Sequence, residues 1–468
     1  MQPISKQETF ARLAPEWPVD LLPAIQRQVA AGGRKVVVLD DDPTGTQTVH
    51  DVGVLTEWSI EALSAELADP APCVYILTNS RSLPLSAAQA LNHEIGRQLS
   101  LASQRTGRDF AVVSRSDSTL RGHYPGETDA LAAALGMPVD ATLIVPFFLE
   151  GGRFTIDNIH YVADGDLLNP AAETPFARDA AFGYRSSDLR QWVEEKSAGR
   201  VVAADVATLS LDDLRGGGPT RITERLLSLS KGAVCIVNAA SMRDMQVFVL
   251  GLLEAEAKGK HFLYRTAASF VQVRAGIESR PLLTPADLDL PPTRSGLTIV
   301  GSYVPKTTGQ LGALLDLEGV EGIEVDVPAL LAEQSQQAQI RQVASATDEA
   351  LRSGRQVVLY TSRGLITGSG AEASLVIGQR ISASLVAIVQ SLQSRPRYLL
   401  AKGGITSSDI ATQGLGVKRA TVLGQILPGV PVWRTGPESR WPQLVYIVFP
   451  GNVGDGQALV EAVQRLCD

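Results

Sequence analysis

The sequence predicts an α/β protein of two domains with largely parallel sheets. Three observations carry that prediction. Short β-branched runs alternate with longer amphipathic stretches, one proline-crowded segment interrupts the alternation, and glycines recur just after apolar runs in the second half. At about 150 residues per domain, a chain of 468 residues is too long for a single small module. Hydrophobic residues at 44% and charged residues at 20% supply substantial cores and exclude global disorder. Forty-two basic against 50 acidic residues leave a net charge of −8, which argues against a broad nucleic-acid or anionic-membrane footprint.

Cys73, Cys235 and Cys467 lie far apart without a CxxC or Cys/His ligand spacing, so neither a disulfide scaffold nor a structural zinc site is expected. No apolar run reaches the roughly 18 residues that span a bilayer, and the first residues lack a basic segment leading into an apolar core. The expectation is a cytoplasmic protein in a reducing compartment.

Taken in order, residues 1–33 read as an N-terminal extension with a helix from about Pro18 to Ala31, ended by Gly32 and Gly33. From Lys35 onward, VVVLD at 36–40, VYILT at 74–78, AVVS at 111–114 and TLIVP at 142–146 read as strands. Residues 151–230 are less regular and read as an insertion or cap, after which VCIVN at 234–238 and HFLYR at 261–265 return to strand patterning. These elements form the expected first domain, 34–280. Prolines crowd 279–296 with neither strand nor helix periodicity, so 281–295 reads as a linker. In the expected second domain, 296–468, LTIVG, IEVDV, QVVLYT, RYLLAKGG and LVYIVFPG are strand-like. Two such halves would form a cleft between them, the expected place for an active site.

Function concentrates at strand ends. VVVLDDDPTGTQTV runs an apolar strand into Asp40, Asp41, Asp42, Pro43, Thr44 and Gly45, where α/β folds place ligands. A solvated Asp-rich turn is the bland reading, yet three adjacent acids repel one another without structural gain. The pattern Asp40-x-Asp42-x-Thr44 also resembles the opening motif of haloacid-dehalogenase-like phosphatases, with Asp40 as covalent nucleophile. That chemistry needs a later acidic metal pair, which is not evident on a strand end.

VVSRSDSTLRGHYPGE carries Arg115, Asp117, Ser118, Thr119, Arg121 and Gly122, a mixture suited to a small polyhydroxylated anion. A surface Arg–Asp pair with helix caps is the alternative. Arg81, after a third strand, has the position to join the same place. In the second half, IVGSYVPKTTGQL, LLAKGGITSSDIA and VFPGNVGDGQALV each pass from strand through glycine to helix. Free N–H groups at such junctions hold phosphate oxygens, although each taken singly could be an ordinary cap or turn. GSYVPKTT is not a P-loop, because Pro305 stands where glycine must precede lysine and the spacing from Gly301 is one residue short. No HExxH pairing or GxSxG elbow is present.

Together these clusters resemble the four-carbon acid sugar kinase family. The elements read Asp41-Asp42-Pro43-Thr44-Gly45, Arg81, Arg115-Ser116-Asp117-Ser118-Thr119-Leu120-Arg121-Gly122, Gly301-Ser302, Gly403-Gly404-Ile405-Thr406 and Gly451-Asn452-Val453-Gly454, in order across about residues 35–468. Arg115 stands where many members have Lys, and Phe449-Pro450 where many have Lys-Ser.

The resemblance implies an ATP-dependent kinase with an acid-sugar-binding first domain, a nucleotide-binding second domain, and Mg²⁺ to neutralise phosphate charge. Asp42 or Asp117 would orient and deprotonate the accepting hydroxyl. Asp41, Asp42, Arg81, Arg115, Asp117, Ser118 and Arg121 would bind substrate, and Ser302, Gly403, Gly404, Ile405, Thr406, Gly451 and Asn452 would bind ATP. No metal ligand is assigned. The expected partners are a small sugar acid and ATP, with no nucleic acid and no membrane, and a homodimer is left open. A non-catalytic metabolite sensor is the remaining alternative.

Overall fold

The computed structural model describes residues 1–136, 138–292, 295–301, 304–364, 366, 371–451 and 453–467. The chain divides into two compact units, Met1–Ser279 and Arg280–Asp468.

Unit 1 is built on a parallel sheet whose strands, in spatial order, are Ala207–Leu209, Ala233–Val237, Ala141–Val145, Phe262–Thr266, Phe110–Arg115, Lys35–Asp40, Cys73–Leu77 and Val52–Leu55. Strand Lys35–Asp40 is buried throughout, which is why it reads as an unbroken apolar run instead of alternating. On one face Val37, Leu39, Ile76 and Val112 pack with Ile95 and Leu99 of helix Leu85–Thr106 and Leu131 of helix Gly126–Leu135. Each such buried aliphatic side chain contributes about 1.5–3 kcal/mol relative to exposure.

The insertion expected at 151–230 contains antiparallel strands Arg153–Ile156, Ile159–Asp164 and Leu167–Pro170, the last paired with Ile4–Ser5 from the N-terminal extension. It is anchored by Tyr184, Leu189 and Trp192, which join Tyr124, Ile144 and Ile236 in one apolar cluster. The helix expected at 18–31 spans Leu22–Gly32 and ends at Gly33 with φ 61°, a left-handed cap suited to glycine.

Unit 2 carries strands in the order Arg419–Leu427, Val430–Thr435, Val445–Phe449, Tyr398–Lys402, Leu297–Val300, Gln356–Thr361 and Val320–Val325. Its last five are mutually parallel, while Val430–Thr435 runs antiparallel to both neighbours. The segment expected as a linker, 281–295, is not a free connector. It holds helix Pro285–Leu288 and buries Leu283 and Leu288 in the core of unit 2 with Leu314, Ile426 and Leu459. Sparse apolar residues hid that role, since two leucines among prolines show no periodicity. Among the described residues, no helix is long and apolar enough to cross a membrane.

Candidate functional site

In unit 1 the strand register sets Asp40 beside Leu77 and Arg115, and Arg115 beside Thr266, so the ends of several strands meet at one sheet edge. Asp42 caps the short helix Pro43–Thr46, accepting from the Thr44 amide at 2.9 Å and from its hydroxyl. Gly45 is required by close approach, since a Cβ there would stand 1.8 Å from Asp40 Oδ2.

Around this turn the predicted side chains converge. Arg81, in the short helix Ser80–Ser82, donates to Asp42 and lies 3.8 Å from Asp117 Oδ1. Arg121 Nε donates to Asp117 Oδ2 at 2.6 Å, and its Nη1 is 3.7 Å from Asp179. The result is an alternating chain, Asp42, Arg81, Asp117, Arg121, in which each cation is shared by two carboxylates.

Arg115 stands apart in a buried pair with Asp40 at 3.2 Å. Asp41 accepts the Ser116 hydroxyl on Oδ2, whereas its buried Oδ1 has no partner among the described residues. A buried carboxylate oxygen left this way is costly and suits a ligand hydroxyl. Ser118 is buried, and its carbonyl receives His160 Nε2–H at 2.7 Å.

The electrostatics sort the acids. Burial pushes Asp117 upward, but Arg121 and Arg81 outweigh it and hold its carboxyl well below the usual range. Asp42 is likewise lowered, with Arg81 and the Thr44 hydrogen bonds overcoming burial. Asp40 goes the other way: burial, reinforced by Asp41 and Asp42, raises it to about 7 despite Arg115. Asp40 is 2% exposed, paired, and pressed against Gly45, which is a poor setting for a covalent nucleophile.

Sequence reasoning missed Arg265, His160 and Tyr184. Arg265, near the end of strand Phe262–Thr266, is 3% exposed and meets no carboxylate at ion-pair distance among the described residues. Its Nη2 donates to the Arg121 carbonyl at 2.8 Å and its Nε is unpartnered. Its only sequence signal was its place at the end of HFLYR.

His160 and Tyr184 come from the insertion and brace the Asp117 loop. Tyr184 donates to the Thr119 carbonyl at 2.8 Å, and burial lowers His160 to about 4, so it serves as a neutral donor. The loop itself needs left-handed backbone at Leu120 (φ 71°) and Gly122 (φ 121°).

In unit 2, register sets Val300 beside Lys402 and Lys402 beside Phe449, so Gly301, Gly403 and Gly451 follow adjacent strand ends. Gly403 has φ 115° and donates its amide to the Phe449 carbonyl at 2.8 Å. A Cβ on Gly301 would stand 2.3 Å from Thr406 Oγ1, so these two junctions are tightly fitted.

Gly404 opens the short helix Gly404–Asp409, Ile405 is 54% exposed beside it, and Thr406 is buried. Ser302 and Asn452, both predicted to bind ATP, lie outside the described residues. Lys402, which was not singled out from sequence, is fully buried, and burial together with Lys306 lowers it to about 7.

Comparison with known proteins matches one family model within each unit. Residues 36–274 match a sugar-binding N-terminal domain model, and residues 297–459 match a nucleotide-binding C-terminal domain model. A D-threonate kinase from Cupriavidus necator is 24% identical over 94% of this chain and 93% of the relative. A 3-oxo-tetronate kinase from the same organism is 25% identical over 90% and 92%, and a 3-oxo-isoapionate kinase from Paraburkholderia graminis is 24% identical over 89% and 91%. Among solved structures, a Haemophilus influenzae protein superimposes with TM-score 0.61 at 20% identity, covering 92% of this chain and 100% of the other. A Salmonella typhimurium LT2 protein gives TM-score 0.66 at 17% identity, covering 92% and 98%. Those two likenesses show the fold.

Proposed function

The chain belongs to the four-carbon acid sugar kinase family, and from that premise we propose that it transfers the γ-phosphoryl group of ATP to a hydroxyl of a small sugar acid. The observation that carries this reading is the chain Asp42, Arg81, Asp117, Arg121 at the sheet edge of the sugar-binding unit. Arginines arranged this way offer forks to a carboxylate, and the unpartnered Asp41 Oδ1 offers an acceptor to a substrate hydroxyl. Four-carbon acids, their 3-oxo relatives and branched oxo acids are the substrate class, by likeness to the named relatives.

Asp117 is the proposed catalytic residue. Its Oδ2 is held by Arg121 and Thr119, while Oδ1 has only Arg81 at 3.8 Å among the described residues, leaving a lone pair for the accepting hydroxyl. A carboxylate kept this acidic orients the hydroxyl and takes its proton late, which suits a loose phosphoryl transition state that needs little base strength. Asp42 holds Arg81 in place, and Arg81, Arg115 and Arg121 supply positive charge.

ATP is proposed to bind unit 2 through Gly301, Gly403, Gly404, Ile405, Thr406 and Gly451, with Ser302 and Asn452 from the same junctions. No group of three or more His, Cys, Asp or Glu side chains that could hold a metal occurs among the described residues. We propose that magnesium arrives on the phosphates of ATP, since the described residues offer no all-protein cage for it.

The test is ADP formation on offering threonate, erythronate, 3-oxo-tetronate and branched oxo acids with ATP. Acid-dependent ADP release is expected. Phosphate release from a phosphoester without ATP, abolished by Asp40→Asn, would favour the phosphatase reading instead.

A further inference from the structure

The carbonyl groups of the last glycine junction in unit 2 are drawn into the protein by buried side chains from two other elements. Lys402 Nζ donates to the Pro450 carbonyl at 2.9 Å and lies 3.4 Å from that of Gly451, with its ammonium 4.1 Å from the centroid of the Phe449 ring. From helix Pro305–Leu315, Thr307 Oγ1 donates to the Gly451 carbonyl at 3.1 Å. Gln310 Nε2 donates to the carbonyls of Val453 at 3.1 Å and Asp455 at 2.6 Å. All three side chains belong to residues with no solvent exposure, and Lys402 meets no carboxylate at ion-pair distance among the described residues.

A trans peptide unit points its N–H opposite to its C=O. Fixing the carbonyls of Pro450, Val453 and Asp455 inward therefore turns the amides of Gly451, Gly454 and Gly456 the other way. None of those three amides donates to a described protein group. All three positions are glycine, so no side chain shields the amides, and Gly454 has φ 79°. Amides left free ahead of the ten-residue helix Ala458–Cys467 are donors suited to an anion.

We propose that Lys402, Thr307 and Gln310 are positioning residues that hold the carbonyls of Pro450, Gly451, Val453 and Asp455 so that the amides of Gly451, Gly454 and Gly456 form the phosphate-binding face of the nucleotide site. This rests on the reading that unit 2 binds nucleotide. The three side chains act through the loop backbone, so their loss affects ligands that carry phosphate and leaves contacts with the nucleoside intact.

The experiment is calorimetric titration of the full chain with ADP and with adenosine, for wild type, Lys402→Met, Thr307→Val and Thr307→Ser. Lys402→Met is expected to weaken ADP about tenfold or more, as for loss of a charge-assisted hydrogen bond, with adenosine affinity unchanged. Thr307→Val should weaken ADP by a smaller factor, and Thr307→Ser, which keeps the hydroxyl, should restore it.

Parallel loss of ADP and adenosine affinity would mean general damage and overturn the proposal, as would unchanged ADP affinity in both Lys402→Met and Thr307→Val. Should Lys402→Met fail to fold, the Val and Ser pair at Thr307 decides the matter alone. Absence of ADP binding by the wild type would instead refute the nucleotide assignment of unit 2 itself.

Discussion

The same location, the end of a parallel sheet, is built in opposite ways in the two units. Unit 1 presents side chains: Asp42, Arg81, Asp117 and Arg121 form an alternating ionic chain, with Arg115 paired to Asp40 beneath it. Unit 2 presents backbone: Gly301, Gly403 and Gly451 follow adjacent strands, and the one buried cation, Lys402, among the described residues there spends its hydrogen bonds on loop carbonyls. Directional side chains can distinguish one polyhydroxylated acid from another, whereas amide N–H groups suit phosphates whatever sugar carries them. On the proposed reading, the difference assigns selectivity for the acceptor to unit 1 and phosphate binding to unit 2.

The sharpest way to break this comparison is Asp117→Asn. It keeps the shape and removes the carboxylate, so turnover should fall about 10²–10⁴-fold, the usual range for general acid–base catalysis, while ADP affinity measured by calorimetry stays at the wild-type value. Asp42→Asn should likewise stop turnover by freeing Arg81, again with ADP binding intact. Loss of ADP binding in either variant would erase the boundary between the two roles.

The converse change is Gly403→Ala. A side chain at φ 115° costs about 1–3 kcal/mol, so KM for ATP should rise about tenfold while KM for the sugar acid holds. Equal rises in both constants would show that the junction is structural only.

The smallest effect concerns Asp40. Its carboxyl is raised from 3.8 to about 7 in the fold, so its contribution to stability is full below the unfolded value and is lost as pH rises through the folded one. The melting temperature of the wild type should fall between about pH 4 and 7 relative to that of Asp40→Asn, and the activity of Asp40→Asn should survive better than that of Asp42→Asn. Parallel melting curves across that window would show that Asp40 is not so perturbed.

How far the sequence disclosed this arrangement depended on whether a signal was local. Strands such as Lys35–Asp40 and Val445–Phe449 were legible because full burial writes an uninterrupted apolar run. The acids and arginines stood out because they follow those runs directly. Arg265 and His160 were not legible as site residues, since their relation to the Asp117 loop depends on which strand lies beside which and how the insertion packs.

Lys402 was concealed in the same manner, inside a run whose glycines drew the attention. The hairpin of Arg419–Leu427 and Val430–Thr435 was also missed, although Pro428 and Gly429 mark its turn.

The central claim is that unit 1 reads an acid. Losing a charge-assisted hydrogen bond to the substrate carboxylate removes about 1.5–3 kcal/mol. With ATP saturating, kcat/KM for threonate or erythronate should therefore exceed that for threitol or erythritol by at least about tenfold, and truncating Arg81 or Arg121 to Met should shrink that ratio. Equal turnover of the neutral tetritols and the acids by the wild type would contradict the assignment, even with kinase activity confirmed.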